Sequence, residues 1–168
     1  MAREARKTRH IQPDTGDVAA ELLSTLARLD LEAALAYEAG AEVVEGGLRG
    51  QLLRFREDHL RHVLGLNRAL RSMGRAPFVH SRQTTEASLA CSLARLGGPF
   101  GSGALMLVLL ADEQLTNGIY GLALRLDWDD EVAELLARHA ADEQRHFLWL
   151  SDRADEFAKR EEPVPACP

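Results

Sequence analysis

Asp142-Glu143-Gln144-Arg145-His146 is the stretch on which the fold turns, because its frame occurs twice. Residues 58–62 read Asp58-His59-Leu60-Arg61-His62, the same Asp-x-x-Arg-His pattern 84 positions earlier. A second echo precedes each copy. Leu29-Asp30 is followed seven residues on by Tyr37, and Asp112-Glu113 is followed seven on by Tyr120, at an offset of 83. Each segment is set in an apolar pattern of helical period. Two helical hairpins carrying matched polar residues at matched depth are therefore expected. Together they predict a metal site inside a four-helix bundle, with one half altered.

The composition around these segments agrees. A chain of 168 residues suffices for one domain with a buried core. Aromatic residues make up only 5%, and Leu, Ala, Arg and Glu dominate, which favours an all-α fold. A net charge of -6 argues against the concentrated basic surface that nucleic-acid binding needs. No apolar run approaches the ~20 residues of a membrane span; the nearest, residues 103–110, runs into Asp112 and Glu113. The basic cluster Arg3, Arg6, Lys7 and Arg9 has no apolar run behind it, so neither a signal peptide nor a membrane anchor is expected. Cys91 and Cys167 fit neither a disulfide framework nor a zinc-binding spacing, and a cytoplasmic location is expected.

The chain divides into a flexible tail over 1–13, a bundle over 14–160 and a second tail over 161–168. Pro13-Asp14-Thr15-Gly16 opens the first helix and Gly46-Gly47 ends it; the second runs to Met73, with Gly74 as its C-cap. Residues 74–102 contain Pro77, Pro99 and a short helical piece over 86–96. The third helix spans about 103–126. After Leu126-Asp127-Trp128-Asp129-Asp130, with Asp129 or Asp130 as N-cap, the fourth continues to about 159. The first and last connections are short, so each pair is an antiparallel hairpin. The long middle connection allows the third helix to run parallel to the second, a single-crossover arrangement.

Six acidic or histidine side chains fall on the inward stripes of these helices: Asp30, His59, His62, Glu113, Glu143 and His146. Asp30 and His59 centre on the first turn, and Glu113 and Glu143 centre on Trp128 in the last, so both pairs lie ~14 residues, or ~21 Å, from their turns. At that depth the six can meet near mid-bundle. Converging buried carboxylates repel one another unless some are protonated or a cation intervenes. Residues three apart share a helical face, so Glu143 and His146 offer one oxygen and one nitrogen to the same ion. The same six could instead form a buried hydrogen-bond network without metal.

The neighbouring residues have plainer readings. Asp58 and Asp142, ~100° round the helix from the stripe, are expected to pair with Arg61 and Arg145 on the flank at i,i+3. His139, whose repeat counterpart is Phe55, reads as a packed core or rim histidine, and His10 and His80 read as solvated. Tyr37 and Tyr120 read as core tyrosines whose hydroxyls can reach a ligand carboxylate. Gly118 and Gly121 suggest close helix approach or space near the site. Glu32, Glu38, Glu42 and Glu45 form a solvated face, with Glu38 the substitute ligand should Asp30 be too short.

On these residues the chain resembles the ferritin-like superfamily, in particular its rubrerythrin-like branch and small bacterial ferritin-like proteins of unassigned function. The likeness covers residues 17–158, and Phe55-x-x-Asp58-His59-x-Arg61-His62-Val63 is similar to a signature of those bacterial proteins. The family pattern is Glu on the first helix, Glu-x-x-His on the second, Glu on the third and Glu-x-x-His on the fourth. Glu113, Glu143, His146 and His62 match it, whereas Asp30 and His59 stand where the pattern has Glu. Members with the full set are implied to oxidise Fe(II) with O2 or peroxide through a carboxylate-bridged pair of irons. Three carboxylates and three histidines replace four and two here, so a mononuclear or mixed-metal site competes with a di-iron one. Nothing resembles a rubredoxin-type cysteine module.

The resulting expectation is an all-α ferritin-like bundle holding Fe, as one or two ions, with Mn or Zn as alternatives. Its chemistry would be that of an oxidase or peroxide-consuming protein, and its assembly a homodimer. A non-enzymatic scaffold bundle that has lost its metal stands as the alternative. Nothing in the sequence speaks for an iron-storage cage.

Overall fold

A computed structural model describes residues 15–80 and 101–161. Within them the chain forms four helices and no strand: α1 (Thr15–Glu42), α2 (Gly46–Ser72), α3 (Ser102–Ala123) and α4 (Asp130–Glu161). The expected tails and the expected short helix over 86–96, together with Cys91, Cys167 and His10, lie outside the described residues.

Local chemistry sets the helix ends. Asp129 Oδ1 accepts from the Val132 amide at 2.9 Å, which makes Asp129 the N-cap of α4. At the end of α2, Gly74 takes φ +68. Its amide donates to Arg71 O at 3.0 Å and the Arg75 amide to Leu70 O at 2.9 Å, the doubled closure of a Schellman motif. Two boundaries differ from expectation. α1 ends at Glu42, and Gly46 and Gly47 open α2 instead of closing α1. α3 stops at Ala123, whose carbonyl accepts from the Leu126 amide at 3.1 Å and from the Trp128 indole at 2.8 Å. Leu124, just past that end, is 45% exposed.

Two apolar clusters fix the directions of the helices. One joins Tyr37 and Ala41 late in α1 and Val44 just beyond it with Leu52 and Phe55 early in α2, Leu105 and Leu109 early in α3, and Leu150 and Ala154 late in α4. The other joins Leu23 and Leu26 early in α1 with Leu66 and Leu70 late in α2, Tyr120 and Ala123 late in α3, and Val132 and Leu136 early in α4. α1 and α4 therefore run one way, and α2 and α3 the other. Between the clusters lies a polar layer. Among the described residues no helix is long and apolar enough to cross a membrane.

Candidate metal centre

The polar layer is built of the six side chains picked out by the repeat. Asp30, His59, His62, Glu143 and His146 have no solvent exposure and Glu113 has 1%. They form two overlapping sets of four whose ligand atoms lie within 4.8 Å of one another: Asp30, His59, His62 and Glu143, and His59, Glu113, Glu143 and His146. His59 and Glu143 belong to both. Each set has the donor types of a metal site, since carboxylate oxygen and imidazole nitrogen suit Fe, Mn and Zn alike.

His59 lies between the two sets. Its Nδ1 is 3.0 Å from Asp30 Oδ1 and 3.3 Å from Glu143 Oε1, and its Nε2 is 3.2 Å from Glu113 Oε1. His62 presents Nδ1 to Asp30 Oδ1 at 3.0 Å and to Glu143 Oε1 at 3.1 Å. His146 presents Nδ1 to Glu113 Oε1 at 3.4 Å.

The partners of these groups cross between the hairpins. Tyr37 of α1 donates to Glu113 of α3, while Tyr120 of α3 donates to Asp30 of α1 at 2.7 Å. His62 Nε2 meets Asp142 Oδ2 at 3.2 Å, and His146 Nε2 meets Asp58 Oδ2 at 3.1 Å. Arg61 bridges Asp58 at 2.8 Å and Asp142 at 3.0 Å; Arg145 reaches Asp58 at 2.8 Å. The expected i,i+3 pairs on the flank exist, but Asp58 and Asp142 do more than decorate it. Each carboxylate accepts from the outer nitrogen of the opposite hairpin's histidine, which turns the inner nitrogen toward the centre. The available signal was that both aspartates survive in copies whose inward residues diverged.

Electrostatics follow from burial and this crossing. Burial alone would raise the Asp30 carboxyl, but hydrogen bonds from His59 and His62 overcome it and hold it at about 2. Burial disfavours charged His59, yet Glu143, Asp30 and Glu113 raise it well above its ordinary value. His62, opposed by burial and favoured by Asp30 and Glu143, is raised to about 9. Glu143 is pushed up to about 7 by burial and then by the charge of Glu113, against the pull of His59. Glu113 is held below the usual range: burial is outweighed by His146 and His59. Asp112, mostly buried beside Glu113, rises to about 6.

Several buried atoms remain without a hydrogen bond among the described residues: both oxygens of Glu143, Oε2 of Glu113, Nδ1 of His146 and Oδ2 of Asp112. Four of the five are atoms of the candidate ligands. Buried acceptors left this way are costly unless a cation serves them, so the donor set fits a metal ion.

The other sequence expectations divide. His139 is buried, stacked on His62 at 4.1 Å between ring centroids, and within 3.2 Å of the Tyr120 hydroxyl. Burial and then the charge of His62 lower it to about 3, so it is neutral. Glu38 is no substitute ligand: its side chain is 47% exposed and pairs with Arg56 at 3.4 Å. Among the described residues, no atom lies within 4 Å of where a Cβ would stand at Gly118 or Gly121, so neither glycine brings a described helix close. A close approach occurs instead at Gly65, where an added Cβ would lie 3.0 Å from both His139 Cε1 and Leu135 Cδ1. A cavity of about 620 Å³ between α2 and α4 reaches Gly65, His139 and Asp142. No family model, no curated protein and no solved structure matches the chain.

Proposed function

We propose that this chain is a metal-binding four-helix bundle of the ferritin-like kind, with Asp30, His59, His62, Glu113, Glu143 and His146 as its ligand frame. The observation that carries this reading is the burial in one polar layer of ligand atoms from Glu113, Glu143 and His146 that find no hydrogen-bond partner among the described residues. Fe is the leading ion, with Mn or Zn also suited to three carboxylates and three imidazoles. When bound, such an ion supplies Lewis acidity and, for Fe or Mn, a one-electron redox centre for O2 or peroxide.

The chain's own residues divide the work. Asp58 and Asp142 hold the outer protons of His146 and His62, so the inner nitrogens are turned toward the polar layer. Tyr37 and Tyr120 orient Glu113 and Asp30 by donating one hydrogen bond each. The apolar clusters above and below exclude bulk water. His139, bonded to Tyr120, stacked on His62 and lining the α2–α4 cavity, is a neutral base on that side of the site.

The test is metal analysis of protein purified without chelator, followed by anaerobic loading with Fe(II). One to two equivalents of Fe, Mn or Zn per chain are expected. Protein that takes up no metal under either condition is a scaffold bundle, and the proposal fails.

A further inference from the structure

The two halves of the ligand frame are not equivalent, and the difference lies in hydrogen bonding. Asp30 has no free oxygen. Its Oδ1 is bonded by Nδ1 of both His59 and His62, at 3.0 Å each, and its Oδ2 accepts from Tyr120 at 2.7 Å. Glu113 keeps Oε2 free while Oε1 takes the Tyr37 hydroxyl. Nδ1 of His62 is bonded, whereas Nδ1 of His146, 3.4 Å from Glu113 Oε1, has no hydrogen-bond partner among the described residues. Among the described residues the unpartnered atoms of Glu113 and His146 belong to the Glu113 set alone, those of Glu143 belong to both sets, and Asp30 and His62 contribute none.

His59 decides how many ions can be served. It offers a different nitrogen to each half, Nδ1 toward Asp30 and Nε2 toward Glu113. A neutral imidazole carries one N–H and one lone pair, so it can be a ligand on one side only. With its N–H given to Asp30, whose Oδ1 lies 3.0 Å from Nδ1, the nitrogen left for an ion is Nε2, 3.2 Å from Glu113 Oε1. A carboxylate at this position could give an oxygen to both halves; the imidazole closes one of them.

Resting on the metal-binding reading above, we infer that the bundle holds a single divalent transition-metal ion, seated on His59 Nε2, Glu113, Glu143 and His146. The Asp30–His62 half is a hydrogen-bonded wall of that seat and not a second metal site. Glu143 lies at the border, with Oε1 facing His59 and His62 and Oε2 unengaged.

The experiment is a titration of metal-free protein with Zn(II), and anaerobically with Fe(II), read as bound equivalents per chain and as Kd. The expected result is one equivalent for the native chain. Glu113→Gln weakens Kd at least tenfold more than Asp30→Asn does. His59→Glu, which restores an oxygen donor to both halves, raises the capacity to two equivalents. Helical content by circular dichroism is checked for each variant, so that the Glu113 and Asp30 comparison decides the matter if His59→Glu does not fold. Two equivalents on the native chain, equal losses for the Glu113 and Asp30 variants, or a folded His59→Glu protein still limited to one, would each overturn the single-seat inference. Failure to bind either metal would instead overturn the metal reading on which it rests.

Discussion

Asp58 and Asp142 illustrate at the residue scale how a side chain outside the core governs one inside it. Each accepts from the outer nitrogen of a buried histidine and is held ionised: burial opposes the charge, but the histidine and arginine partners dominate. Removing such a partner typically costs 10–100-fold in metal affinity. Asp58→Ala is expected to weaken metal binding by about that factor, and by more than Asp142→Ala, because Asp58 serves His146. Competition titration against a chromophoric chelator measures both, and equal effects would count against the ordering. Gly65 acts by absence. A methyl group there would press on His139, which is fixed between the His62 ring and the Tyr120 hydroxyl. Overpacking of about 1–3 kcal/mol exceeds the ~1 kcal/mol that Ala gains over Gly in a helix. Gly65→Ala should therefore lower stability in urea unfolding; an unchanged or higher midpoint would show that the ring yields.

At the scale of single elements, the caps carry separable contributions. Asp129→Ala removes the hydrogen bond to the Val132 amide and is expected to cost about 1 kcal/mol. Gly74→Ala places a Cβ in the left-handed region at the end of α2 and should cost a similar ~1 kcal/mol. Both sites are remote from the polar layer, so thermal melting should shift while metal stoichiometry does not. These elements also show what was legible in the sequence. Helical period and capping residues located all four helices, and the repeated frame located all six inward side chains, because both are patterns along one chain. The ends of α1 and α3 were misjudged by a few residues: a glycine can open a helix as well as close one, and Trp128 caps from beyond the expected boundary. The crossed Asp58–His146 and Asp142–His62 bonds were not legible, since only the packing of α2 against α4 brings residues 80 or more apart into register. Glu38 lies on the solvated face where the sequence put it, paired with Arg56 of the neighbouring helix.

For the whole molecule, the buried charges make stability depend on pH in a stated direction. His62 sits at about 9 in the folded protein against 6.5 ordinarily, so its contribution is complete below 6.5 and is lost as pH rises through 9. Glu143, at about 7 against 4.5, has the same sign: its contribution is complete below 4.5 and lost as pH rises through 7. Asp30, at about 2 against 3.8, contributes above 3.8 and loses that as pH falls through 2. His139, at about 3, likewise favours the fold above 6.5 and loses it toward acid. Metal-free protein should thus be most stable at about pH 5–6 and lose Tm toward pH 9. Bound metal replaces protons as the counter-charge, so the alkaline loss should shrink, and free ion at ~100 times Kd should add ~2.7 kcal/mol. Thermal melts across pH with and without chelator test this; a metal-free Tm that rises between pH 6 and 9 would refute it. The crossing of partners between the hairpins has one more consequence. Two separate copies of one hairpin, docked about a two-fold axis, would be compelled to put identical side chains at the positions of His59 and Glu143. Only a continuous chain can hold an imidazole on one side of that axis and a carboxylate on the other. The lopsided centre is thus a property that covalent linkage makes available, and any attempt to rebuild it from a self-associating half would return a symmetric one.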